Sequence, residues 1–173
     1  LHAILSSRAG GRRIELKRVC GSDAGHGLRP PARFCALADN VLPTDPDIVV
    51  FCASTIDVMD CVPPVIFESY LTAMTDQVLA RSEAVPVLAT PLPIVGNPYQ
   101  SRSYAVLVKR VGLRKQAAVA DLYSRYLLSG RQWPEMFRIS GGSESYWMWP
   151  GRQGQSLIAQ ELAAALDPIL RGK

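Results

Sequence analysis

Imidazole is the side chain best suited to moving a proton near neutral pH, and the 173-residue chain holds two, His2 and His26. That number excludes a multi-histidine metal centre and confines any imidazole base to the start of the chain. Ser22, Asp23 and His26 form the only Ser/Asp/His cluster. A hydroxyl, an imidazole and an orienting carboxylate make a nucleophilic relay, but its members normally come from separate elements. Crowded into one Gly-rich loop, Gly21–Gly27, they fit a turn whose side chains cap backbone amides. Ser6 and Ser7 precede Arg8-Ala9-Gly10-Gly11 and follow no strand, so neither looks like a nucleophile elbow. Cysteines at 20, 35, 52 and 61 include no CxxC pair, and the histidines complete no zinc spacing. The even count permits disulfides without assigning them, and Cys52 is expected as a small buried hydrophobe. No metal site and no cofactor is called for. Trp133, Trp147 and Trp149 lie close together and are able to serve either as a sugar or partner platform or as cover for the core.

Such residues need a scaffold to position them. A chain of 173 residues fits one domain. Hydrophobic residues make up 48% and charged residues 20%, which excludes long disorder. No apolar run approaches the ~18 residues of a membrane span. Ile14–Cys20 alternates as a strand, and Ala32–Leu42 is expected as a short helix with Phe34, Leu37, Ala38 and Val41 on one side. Asp45-Pro46-Asp47 marks a turn. Ile48–Ala53 is then a continuous apolar, β-branched run of the kind buried on both faces of a parallel sheet. Ile66–Ser82 places Phe67, Leu71, Met74 and Val78 at helical spacing. Val85–Thr90 is a second buried strand with Pro86 at its start, and Pro91–Tyr99 is a loop. Ser103–Lys115 is a helix broken or frayed near Gly112. Ala117–Ala120 is a third strand, ending at Asp121, and Tyr123–Leu128 is helix or turn. Residues 129–152 read as mostly loop. Arg152–Leu170 is an amphipathic helix with Leu157, Ile158, Leu162, Ala165 and Leu166 inward and Pro168 near its end.

Alternating strands and helices predict βαβ units, hence a three-layer α/β/α sandwich on a mainly parallel, flavodoxin-like sheet. Ligands bind such sheets at the carboxyl ends of the strands. Here those ends are Gly21–Gly27, Ser54–Asp57, Thr90–Asn97 and Asp121–Tyr123, with the loop 141–151 over the same edge.

Charge is uneven. Residues 1–33 carry a net +5, and the remaining 140 residues a net −1. A basic end serves nucleic acid, acidic lipid or an acidic partner, and a solvated surface is the simpler reading. The aromatic interleaving of a single-strand binder is missing, so nucleic acid is disfavoured. The Arg- and Ser-bearing start matches an organellar transit peptide only weakly, no secretory signal is visible, and no compartment is assigned.

Three stretches resemble the SGNH/GDSL esterase–lipase hydrolases. Pro46-Asp47-Ile48-Val49-Val50 running to Ser54-Thr55-Ile56-Asp57 is similar to the family's Pro-Asp-strand ending in a G-x-N-D block. Val85–Pro93, followed by Ala118–Tyr123, is similar to its next two strands. Trp149-Pro150-Gly151 through Gly154 to Ile158-Ala159 is similar to its H-P-x-x-x-G-x-x-x-I-A block. The resemblance covers roughly residues 14–166, and the order of elements carries it better than any one motif. It implies an ester-hydrolase fold whose serine follows the first strand in a G-D-S block. A glycine and an asparagine would donate to the oxyanion, and an aspartate and histidine three residues apart would supply orientation and base.

The sequence departs from that pattern where the chemistry lies. The G-D-S block is absent, and Leu1–Ser7 looks like the tail of the helix after it, so a first strand and nucleophile are expected upstream of Leu1. Ser54 replaces the glycine of the G-x-N-D block, and Ile56 replaces its asparagine. Asp57 is retained, expected as a helix N-cap or turn acceptor. Trp149 stands at the histidine and Tyr146 at the aspartate, and a shifted register, Glu144 with Trp147, restores no histidine. Indole has no basic lone pair. The family's glycine corresponds to Gly25 or Gly27.

The leading expectation is one SGNH-like domain, residues 1–173, lacking its first strand and catalytically degenerate. It would serve as a binding or structural subunit with other protein chains as partners. Its degenerate cleft would comprise Gly25, Ser54, Thr55, Ile56, Asp57, Trp147 and Trp149. The alternatives are an active serine esterase or acetylesterase with its nucleophile upstream, or a carbohydrate-binding module using the tryptophan loop. The corresponding ligands are an ester or a carbohydrate.

Overall fold

Three apolar runs pair as a parallel sheet in the order β1-β2-β3, with β1 at Ile48–Phe51, β2 at Val85–Ala89 and β3 at Ala118–Ala120. The computed structural model describes residues 15, 37–52, 55–93, 98–130, 137–139 and 148–172. Helices α1 (Thr55–Met59) and α2 (Pro64–Arg81) connect β1 to β2, and α3 (Pro98–Lys115) connects β2 to β3. After β3 come α4 (Leu122–Leu128), the antiparallel strands β4 (Phe137–Ile139) and β5 (Met148–Pro150), and α5 (Arg152–Gly172). Among the described residues, no helix is long and apolar enough to cross a membrane.

Ladder register fixes which side chains meet which layer. Val50 lies opposite Val87, and Val87 opposite Ala118. Because strand side chains alternate, Val49, Leu88 and Val119 turn toward α2 and α3, where they join Phe67, Leu71, Met74, Val78, Val108 and Val111. Val50, Val87, Ala89, Ala118 and Ala120 turn the other way, toward Leu162, Ala163 and Leu166 of α5. The sheet is thus covered on both faces, the α/β/α sandwich that the continuous apolar runs predict. At the centre of the first layer, the Phe67 ring meets Tyr70 and Tyr104 edge to face, with centroids 5.5 and 5.0 Å apart.

Proline and glycine account for local details. The Val85 N–H donates to the Asp47 carbonyl at 2.9 Å, toward β1. The nitrogen of Pro86 therefore faces β3, whose pairing begins only at Val87, so the missing donor interrupts no ladder bond. Helix α3 starts at Pro98, ahead of the expected Ser103, and so takes in Tyr99. It also runs unbroken through Gly112, contrary to the expected break. A Cβ at Gly112 would overlap the Val119 side chain, so glycine here permits close approach of α3 to β3. The helix ends at Gln116, whose φ of +53° turns the chain into β3.

Other expectations are met in part. The segment foreseen as a helix over 32–42 is, from Leu37 onward, a π turn followed by a 3₁₀ turn, with Leu37 buried. Ile14–Cys20 lies outside the described residues except Glu15. Within the stretch 129–152, expected to be mostly loop, two short strands, β4 and β5, pair. Pro168 lies inside α5, which continues to Gly172. Cys52 is exposed rather than buried, one residue past the end of β1, and both Cys52 and Cys61 are free thiols.

Candidate functional site

The direction of α5 places its start at the carboxyl edge of the sheet. Ile158 and Leu162, near its N-terminus, pack with Ala89, Leu92 and Ala120, whereas Ile169 and Leu170 pack with Ile48 and Ala118 at the amino ends of the strands. Strand β5, holding Trp149, leads through Gly151 into that helix start. Helix α1 opens at Thr55, just beyond the carboxyl end of β1. The fold therefore brings the start of α1 and the β5–α5 junction to the same edge.

On the β1 side the chain is held by α3. Asp57 is buried, with 1% exposure, and its backbone carbonyl accepts from the Val62 N–H at 2.9 Å. Asp57 is the third residue of α1, not its N-cap. Cys61 adopts a φ of +51° in the following turn. The Gln100 amide donates to the Val58 carbonyl at 2.9 Å, and the buried Tyr104 hydroxyl donates to the Val62 carbonyl. Burial first, then the nearby Cys61 and Asp57, pushes the Tyr104 phenol above its ordinary value, which keeps it a donor.

On the β2–β3 side a second network closes. The buried Thr90 hydroxyl accepts from the Tyr123 N–H at 2.8 Å and donates to Asp121 at 3.3 Å. Asp121 caps α4, accepting from the Ser124 N–H at 3.2 Å, and pairs with Lys109. Burial opposes ionisation of Asp121, but hydrogen bonds from Lys109 and Ser124 outweigh it and hold the carboxyl below its usual value. Lys109 also donates to the Ser124 hydroxyl at 3.2 Å. A lysine donating to a carboxylate and a hydroxyl is arranged as a cation, not as a base for Ser124. These contacts fix the edge and assemble no nucleophile–base pair. Among the described residues there is no histidine, and no cluster of three or more His, Cys, Asp or Glu able to hold a metal ion.

Of the expected cleft residues, Gly25, Ser54 and Trp147 lie outside the described residues, as do Ser22, Asp23 and His26. Thr55 and Ile56 open α1, Asp57 is buried within it, and Trp149 is the middle residue of β5. Sequence reasoning missed the Gln100 and Tyr104 clamp, because each bond joins residues 42 positions apart. The ties of Asp121 to Thr90 and Lys109 were missed as well, since they join residues on separate elements.

Residues 1–157 match the model of the GDSL-like lipase/acylhydrolase family, and the chain belongs to that family. No curated protein matches it. Among solved structures, it resembles a lipolytic protein of the G-D-S-L family from Desulfitobacterium hafniense DCB-2, with a TM-score of 0.67 at 16% identity over 95% of this chain and 86% of that one. A catalytic mutant of Axe2, an acetylxylan esterase from Geobacillus stearothermophilus, gives 0.66 at 14% identity over 80% and 68%. LAE5, an alpha/beta hydrolase enzyme from the metagenome of Lake Arreo, Spain, gives 0.64 at 20% over 80% and 67%. At these identities the likeness is one of fold.

Proposed function

We propose that this chain is a single SGNH-type domain that binds a partner or ligand at its degenerate edge and does not hydrolyse esters. The observation that carries this is the identity of residue 149. The Trp149-Pro150 pair enters α5 where the family's histidine-proline pair would supply the base, and no histidine follows residue 26. An indole N–H donates and cannot take a proton from serine. Ile56 in place of asparagine removes an oxyanion donor as well, a loss of about 100- to 1,000-fold in rate on its own. The buried Asp57 and the capping role of Asp121 are consistent with carboxylates retained for structure. The intact polypeptide should turn over p-nitrophenyl acetate no faster than the same chain after heat denaturation, whereas saturable turnover well above that background would overturn the proposal.

A second reading is favoured by family membership and by the esterases among the structural neighbours. In it a serine block upstream of Leu1 joins an unusual base to make an ester hydrolase. A third rests on the tryptophans and on the acetylated sugar polymer that Axe2 acts on. In it the 147–149 segment binds carbohydrate, and glycan binding would disappear in Trp147→Ala or Trp149→Ala.

A further inference from the structure

The outward side of α3 combines exposed apolar residues with a run of cationic groups. Tyr99, Val106 and Leu113 recur every seven residues and are 77%, 48% and 83% exposed. Residues seven apart fall on one helical stripe, and this one runs about 21 Å. Beside Val106 lies an open groove of about 360 Å³, bounded by Pro64 at the start of α2 and by Arg102, Ser103, Leu107 and Arg110 of α3. Val65 beside it is 71% exposed.

The charge is one-sided. Helix α3 contains Arg102, Lys109, Arg110, Arg114 and Lys115 and no acidic residue. Lys109 is matched by Asp121 and Lys115 by Asp76. Arg110 and Arg114 share the single carboxylate of Glu68, at 3.5 and 2.6 Å. Arg102 has no ion pair among the described residues. A shallow groove is thus flanked by two arginines, of which, among the described residues, Arg102 has no carboxylate partner and Arg110 shares one with Arg114.

We propose that this groove docks an acidic amphipathic helix of a partner protein, its apolar side chains along Tyr99, Val106 and Leu113 and its carboxylates on Arg102 and Arg110. Charge complementarity selects this occupant. A second copy of the chain, laid antiparallel about Val106, would set Arg102 against Arg110, a like-charge contact. A membrane surface calls for a broad apolar face, whereas here arginines interrupt a single stripe beside a concave groove. The docking does not depend on whether the chain hydrolyses esters.

The test uses the intact chain and a fluorescein-labelled synthetic peptide of roughly 18 residues, with leucines at i, i+3, i+4 and i+7 spacing and glutamates elsewhere. Saturable binding by anisotropy is expected, about tenfold or more weaker in Arg102→Glu and in Val106→Glu, with thermal melts unchanged. Because Arg102 is exposed and has no ion pair among the described residues, Arg102→Glu decides the matter should Val106→Glu melt early. Absence of binding, equal binding of a leucine-to-serine peptide, or unchanged affinity in Arg102→Glu would overturn the proposal. So would a variant effect confined to phosphatidylserine vesicle binding or to self-association in sedimentation.

Discussion

Asp121 shows how a carboxylate at the carboxyl edge of a parallel sheet comes to serve structure. It caps α4 and pairs with Lys109, and those bonds lower its proton affinity despite partial burial. A lowered folded-state value means that its stabilisation is present above the unfolded carboxylate range, near pH 4, and is lost as pH falls through the folded value. Asp121→Ala should cost about 1 kcal/mol in urea unfolding at neutral pH, with a smaller further loss below pH 4 than in the unchanged chain. Position 149 is the complementary case. On the proposed reading, Trp149→His alone should create no p-nitrophenyl acetate turnover, since a base supplied at 149 still meets no activated serine, and Ile56 in place of asparagine lowers any residual rate by about 100- to 1,000-fold. Turnover gained by that one change would show the rest of the machinery to be intact. The residue types at 56 and 149 were legible because chemistry depends on identity. The clamp of Tyr104 on the Val62 carbonyl was not, because a side chain reaching a distant backbone carbonyl leaves no local pattern.

Elements that bury both faces wrote themselves most clearly into the sequence. Ile48-Val49-Val50-Phe51 and Val87-Leu88-Ala89 are continuous apolar runs because helices cover both sides of the sheet. Helix α2 was equally clear from Phe67, Leu71, Met74 and Val78. The three-residue strands β4 and β5 are too short to establish an alternation, so the segment read as loop. Gly112 was taken for a break because glycine is a poor helix former, whereas its role is spatial, against Val119. Gly112→Ala should therefore destabilise the domain by about 1–3 kcal/mol, where an exposed helical glycine would gain from the same change. Phe67→Ala should cost about 3–5 kcal/mol, read from the denaturant midpoint.

At the scale of the molecule, a family fold persists, and on the proposed reading the residues that would perform the family's chemistry do not. The sheet, its two helical layers and the start of α5 at the carboxyl edge follow the GDSL-like architecture. On the proposed reading, the sequence has Ile56 and Trp149 at the positions where the family has a donor and a base. The carboxylates of that edge are buried or engaged in capping. The basic, apolar-striped face of α3 adds a surface suited to a protein partner. On the proposed reading, binding is the property that such a domain retains. The most direct test is treatment of the purified, complete polypeptide with a fluorophosphonate probe, followed by intact-mass analysis and peptide mapping. A non-hydrolytic domain remains unmodified under conditions that fully label an active serine esterase. Stoichiometric attachment of the probe to one serine would contradict the claim that the chain has lost its hydrolytic chemistry.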